Sequence, residues 1–215
     1  MSWGRYRAIV VVPPEPVITP ADVPGDHAAD DATVAALIAA AQEEIDGPAG
    51  WLGRAIGPQT IELRMDDFWW CNGLMLPYPP AIEAVSVVYL DENEAAQTVS
   101  PADYALAGQR LYTKSTFSTP EVGPDFEGVR VRYRADYDGG LTGSPFGTTG
   151  DVPAPIRQWL IFRASQLIAA NAADPLVKSE RTDDIDSVTY RTGDELVGGG
   201  DPLSNALLSP FKVYN

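Results

Sequence analysis

The sequence predicts an α+β fold: two main helices flank a central antiparallel β unit, with an extended N-terminal arm and a C-terminal tail. Three observations carry that reading. Residues 59 to 135 consist of short period-two runs, rich in β-branched residues and separated by turn residues. Two longer stretches, one after Asp30-Asp31 and one after Asp151, carry apolar residues at helical spacing. Prolines crowd positions 13 to 20, and glycines crowd 198 to 200.

Taken in order, residues 8 to 20 read as a short β-branched strand, Ala8 to Val12, leading into an extended arm with Pro13, Pro14, Pro16 and Pro20. Residues 1 to 29 form this arm, which suits contact with a neighbour. A helix is expected from Asp30-Asp31, which can cap it, through Val34, Leu37, Ile38, Ala41 and Ile45, until Gly47-Pro48 ends it. Gln59 to Met65 alternates with Ile61, Leu63 and Met65 inward, a half-buried strand. Ala84 to Leu90 is the richest β segment, ending at the polar tip Asp91-Glu92-Asn93-Glu94. Gln97 to Val99, Tyr104 to Leu106, Arg110 to Tyr112 and Val129 to Ala135 continue the pattern.

A glycine-rich loop, 136 to 150, precedes a second helix over 151 to 171, because Asp151 suits its N-terminus and Pro153 and Pro155 are tolerated in a first turn. Ile156, Trp159, Leu160, Ala164, Leu167 and Ile168 make one stripe, while Ile161 and Phe162 lie off it, so two partners are needed to cover the helix. The core thus spans 30 to 172. Residues 173 to 215 are an extended segment, with Asp183, Asp184 and Asp186, a strand-like 187 to 191, the Gly198 to Gly200 hinge, and a short apolar helix with an aromatic end.

Composition excludes several function classes. With 30 acidic and 15 basic residues the formal charge is −15, which disfavours attraction to nucleic acid or anionic lipid over most of the surface. The lone Cys71 can build neither an internal disulfide nor, alone, a zinc site, so a cytosolic origin is expected. The apolar run that ends at Pro13 is too short for a secretion signal, and no run approaches the ~18 residues of a membrane span.

Catalytic candidates are few. His27 is the one histidine, in a polar stretch with no nucleophile motif, and reads as an idle, solvated side chain. The 91 to 94 tip lacks the pattern of a calcium loop and reads as a solvated hairpin end. Asp66, Trp69 and Trp70 place carboxylate beside aromatics, as in sugar-binding clefts, although tryptophans packed under a loop or on a neighbour fit as well. No phosphate-binding glycine loop occurs, and no cofactor is expected. Arg130, Arg132 and Arg134 share one strand face, either as a solvated surface or as an intersubunit salt-bridge row.

The order of these pieces resembles the head-tail connector, or adaptor, proteins of long-tailed phages and gene transfer agents. The resemblance covers about 30 to 215. It rests on Asp30-Asp31 before the first helix, Gly53-Arg54-Ala55-Ile56 before the strand from Gln59, Leu76-Pro-Tyr-Pro-Pro80 before Ile82 to Tyr89, Ser100-Pro-Ala-Asp-Tyr104, Val129 to Tyr133, Val152-Pro-Ala-Pro-Ile-Arg157, and the ending Ala206-Leu-Leu-Ser-Pro-Phe211. The sequence departs from the family where Pro20, Pro24 and Gly25 interrupt the usual first helix, and in a longer 174 to 200 segment.

The resemblance implies a non-enzymatic virion protein, assembled in the bacterial host cytoplasm, that forms a dodecameric ring under the portal. Such a ring extends the DNA channel, binds no specific sequence, and gives the next connector, stopper or tail component a platform. It directs attention to Leu203, Leu207, Leu208, Pro210, Phe211 and Tyr214 as portal-docking residues. Trp159, Ile161 and Phe162, with the three arginines, are the candidate subunit interface. Two other classes stay open: a carbohydrate-binding or carbohydrate-active protein using Asp66, Trp69 and Trp70, and another virion tail protein.

Overall fold

Alternation along each strand decides which face is buried, and pairing register decides which residues meet. The computed structural model describes residues 6–70, 73–115, 117–123, 126–137, 149–172 and 206–213. Among these, β1 (Tyr6–Val12) pairs antiparallel with β2 (Gln59–Met65), which pairs with β8 (Val129–Ala135). Strand β8 pairs in turn with β4 (Ala81–Leu90), and β4 with β5 (Ala96–Thr98), giving a five-stranded sheet in the order β1-β2-β8-β4-β5. A second sheet has the order β3-β7-β6, from β3 (Leu74–Met75), β7 (Arg110–Thr113) and β6 (Tyr104–Ala107).

In the large sheet Ile61 lies opposite Tyr133, Leu63 opposite Val131 and Met65 opposite Val129, and all six are buried. Residues opposite one another in an antiparallel pair share a face, so this is one continuous apolar surface. Trp70, Leu74, Leu76, Val87, Tyr104 and Leu111 close the same core. The Tyr133 hydroxyl donates to the Pro77 carbonyl at 2.6 Å, which satisfies the one polar atom of a fully buried ring. Burial also pushes the Tyr133 phenol far above its usual range.

The loop between residues 44 and 58 is organised by the buried Asp46. Its carboxylate accepts the Ile56 N–H at 2.7 Å, the Gly57 N–H at 2.9 Å and Nε2–H of Gln59 at 2.6 Å. The first helix, α1 (Ala32–Glu43), therefore stops before Ile45 instead of reaching Gly47. Ile45 is still buried, but from the loop, because an aspartate that captures backbone donors competes with the next helical turn. Gly50 is required here for space: a Cβ would lie 2.2 Å from the Ile45 carbonyl carbon.

Helix α1 begins as expected, with Asp31 Oδ1 accepting the N–H groups of Thr33 at 2.8 Å and Val34 at 3.0 Å. Helix α2 (Ala154–Ala172) packs against it, burying Ile156, Trp159, Leu160 and Ala164 toward Val34, Ile38 and Ala41 on the covered side of α1. Asp22, in a short 3-10 turn at Pro20–Asp22, accepts from the Thr19 N–H at 2.8 Å and pairs with Arg157 at 3.5 Å. The N-terminal arm is thus structured at both ends: β1 is a strand of the large sheet, and the proline run closes in that turn.

The chain divides into two units. Met1–Val17, Glu44–Val152 and Lys212–Asn215 make the first, which holds both sheets. Ile18–Glu43 and Pro153–Phe211 make the second, which holds both helices and a helical turn over 206–211.

Candidate interface surfaces

The face of the large sheet turned away from the core is rich in arginine. Register places Arg64 of β2 between Arg7 of β1 and Arg130 of β8, then Glu62 beside Arg132, then Thr60 beside Arg134. On β4, Ser86 lies opposite Arg132 and Glu83 opposite Arg134. The three arginines of β8 singled out in the sequence do share a face, and β1 and β2 add Arg7 and Arg64. The alternation of Thr60, Glu62 and Arg64 was visible in the sequence; that these side chains stand beside the β8 arginines was not.

Glu62 is the hub of this face. Its side chain is only 1% exposed, with one oxygen 2.7 Å from Arg64 Nε and the other 2.5 Å from Arg132 Nε. Burial alone would raise its pKa, but the hydrogen bonds from Arg132 and Arg64, with their charges, outweigh that and hold it below the usual carboxylate value. Glu127, just before β8, pairs with Arg64 at 3.3 Å and Arg7 at 3.4 Å, and Asp136 pairs with Arg134 at 3.4 Å. Arg130 differs from these, because its Nε–H is buried without a hydrogen-bond partner.

In the helical unit the three candidate residues of α2 part company. Trp159 is buried, in one stripe with Ile156 and Leu160, so it is a core residue and not an available interface. Ile161 is half-buried and Phe162 is exposed, as expected for positions rotated off the covered stripe. The C-terminal turn splits in the same way. Leu208 is fully buried and Leu207 is 44% exposed, so Leu208 is already occupied by its own chain while Leu207 is presented. Pro210 is exposed and Phe211 half-buried; Leu203 and Tyr214 lie outside the described residues. Beyond the turn, the Val213 N–H donates to the Leu52 carbonyl at 2.9 Å, and Lys212 Nζ stands 5.6 Å from the Trp51 ring centroid.

The sugar-cleft constellation does not assemble. Trp70 is buried and joins Phe68 at 5.2 Å between ring centroids, with Tyr89 and Phe117 around Phe68 at 5.7 and 5.8 Å. Trp69 points out, meeting Trp70 edge-on at 6.3 Å, and Asp66 accepts the Glu127 N–H at 3.1 Å. In the irregular segment that follows β2 the two tryptophans take different environments, one exposed and one buried, and the Asp66 carboxylate holds backbone instead of facing an aromatic platform. His27 is half-buried, not fully solvated, with Nδ1 3.2 Å from the Ala28 carbonyl oxygen. Cys71, the run from Asp183 to Asp186 and the Gly198–Gly200 hinge lie outside the described residues. Among the described residues no three His, Cys, Asp or Glu side chains are grouped to hold a metal ion, and no helix is long and apolar enough to cross a membrane.

No protein-family model and no curated protein matches the chain. Solved structures do. A chain of the virion of a native gene transfer agent particle superposes with a TM-score of 0.60, covering 97% of this chain and 96% of that one at 14% identity. A chain of the neck of an empty gene transfer agent particle, computed with C6 symmetry, gives 0.58 over 98% and 96%, also at 14% identity. A chain of the neck of a native particle, computed with C12 symmetry, gives 0.54 over 86% and 84% at 14% identity. The shared property is the fold, nearly end to end.

Proposed function

We propose that this protein is a structural component of a phage-like or gene-transfer-agent virion, and within it the head-tail connector that forms a ring beneath the portal. The observation that carries the reading is the near-complete match in fold to chains of gene transfer agent necks and virions, one of those necks computed with C12 symmetry. A dodecamer is the corresponding assembly. The ring continues the DNA channel and offers its far side to the next connector, stopper or tail component. The chain's charge of −15 suits a conduit that DNA traverses without adhering. The head-tail interface of the virion, after assembly in the bacterial host cytoplasm, is its place of action, and no reaction or cofactor is assigned to it.

Two surfaces serve the assembly. Ile161 and Phe162 on α2 and the arginine face of the large sheet contact neighbouring subunits. The C-terminal turn meets the portal through Leu207, Pro210 and Phe211, with Leu203 and Tyr214 flanking it in sequence. Native mass spectrometry of the protein, alone and mixed with its cognate portal, tests the reading. A ring of subunits on the portal is expected; a monomer indifferent to the portal overturns it. Because Leu208 is buried and Val213 is tied to Leu52, removing everything after Gly200 would disturb the fold as well as docking. Leu207→Asp is the cleaner probe of the tail.

A further inference from the structure

Five of the chain's 15 lysines and arginines, Arg7, Arg64, Arg130, Arg132 and Arg134, stand on one face of one sheet in a protein of formal charge −15. Such segregation gathers guanidinium donors on this one face of an acidic chain. We infer that it is the receptor for a second copy of this chain, and that the β4–β5 hairpin tip of the neighbouring subunit, with Glu92, Glu94 and Glu121, is what it receives. The inference rests on the ring reading and names the contact that builds the ring.

The face is built for carboxylates. Glu62 and Asp136 hold Arg132 through Nε and Arg134 through Nη2, while the two side chains stay 47% and 46% exposed. A guanidinium carries five donors in a rigid fork, so these contacts orient the groups and leave further N–H bonds to offer. Residues two apart on a strand are about 6.8 Å apart, so Arg130, Arg132 and Arg134 form a regular row of such forks. Arg130 has its Nε–H buried without a partner, a donor that an incoming carboxylate can reach only by settling onto the sheet.

The hairpin tip is the complementary part. Asp91 rigidifies it by accepting the N–H groups of Asn93 at 2.9 Å and Ala95 at 3.0 Å and Nε2–H of Gln97 at 2.8 Å. Asp91 is thereby spent on the turn, and Glu92, Glu94 and Glu121 are left exposed. Gly123 N–H donates to the Leu90 carbonyl at 2.9 Å, which brings the segment carrying Glu121 alongside the tip. A hydrogen bond with the Glu121 side chain, and after it the charge of Glu121, raises the Glu92 pKa, so an external cation beside the two carboxyl groups favours their ionised forms. The tip and the face are different surfaces of the same unit, so the contact is heterologous, the kind that closes into rings. DNA phosphate is the poorer occupant. Glu62, Glu127, Asp136 and Glu83 already offset most of the charge of the five arginines, which removes the long-range field that duplex binding exploits while keeping the short-range forks.

A charge-swap experiment on the full chain tests this. One variant carries Glu92→Lys, Glu94→Lys and Glu121→Lys; the other carries Arg130→Glu and Arg134→Glu. Association is read by native mass spectrometry, with circular dichroism on each variant. Each variant alone is expected to lose the ring, at least tenfold in apparent affinity. Their equimolar mixture is expected to regain it as alternating mixed rings, because each reversed tip then meets a reversed face and each parental tip a parental face. A tip variant that rings like the parent protein overturns the inference and leaves the ring reading standing; its exposed substitutions also keep the test valid if the face variant fails to fold. A parent protein that forms no ring alone or on the portal overturns both. Duplex DNA binding by the parent at physiological salt, lost in the face variant with association unchanged, overturns it in favour of phosphate.

Discussion

Glu62 and Arg132 meet across the β2–β8 pair with carboxylate oxygen and Nε 2.5 Å apart, one partner 1% exposed and the other 47%. The buried carboxylate and half-exposed guanidinium set the geometry of the whole arginine face, since the other Glu62 oxygen holds Arg64. A buried anion of this kind is tolerated only when its acceptors are filled, and here both oxygens are.

Glu62→Gln keeps the shape and removes the charge, leaving Arg64 and Arg132 to compete for one carbonyl oxygen. A loss of about 2 kcal/mol in unfolding free energy is expected, less than for a fully buried pair because the arginines are partly solvated. The sign with pH follows from the lowered folded-state pKa of Glu62 against an ordinary value of 4.5. Its stabilisation is complete above that ordinary value and is lost as pH falls through the lower, folded one. Urea melts of parent and variant from neutral pH into the acid range check this: the gap between them should narrow on acidification.

Asp46→Asn replaces an acceptor of three hydrogen bonds by an amide with one oxygen, whose NH₂ then opposes either the Gly57 N–H or the donors of Ile56 and Gln59. The expected cost is about 3 kcal/mol, seen as a drop in thermal midpoint. Amide exchange at Ile56 and Gly57 should quicken, a readout that a diffuse effect would not concentrate there.

Tyr133→Phe removes the hydroxyl that fills the Pro77 carbonyl and adds no volume. About 1–2 kcal/mol of destabilisation is expected in denaturant titration, with the overall fold retained.

Leu207 and Leu208, adjacent in sequence, should behave oppositely. Leu208→Ala opens space at a fully buried position and should cost about 3 kcal/mol. Leu207→Asp should leave the melt within about 0.5 kcal/mol and weaken portal binding at least tenfold. Thermal denaturation paired with portal pull-down separates the two effects.

Period and punctuation were enough to place β2, β4, β8 and both helices, because alternation and helical spacing are local consequences of burying one face. They also showed that Arg130, Arg132 and Arg134 share a face, and that Ile161 and Phe162 lie off the main apolar stripe of α2. Pairing order was beyond them: β8 inserts between β2 and β4, and β1 joins the same sheet, through contacts between residues far apart in the chain. Tertiary structure alone made Glu62 the anchor of Arg132 and sent Trp70 into the core while Trp69 faces out. It also buried Trp159 and Leu208, two residues the sequence had offered to neighbours. An apolar side chain reads the same from sequence whether its own chain or another covers it, and only the packed fold decides which face is already taken.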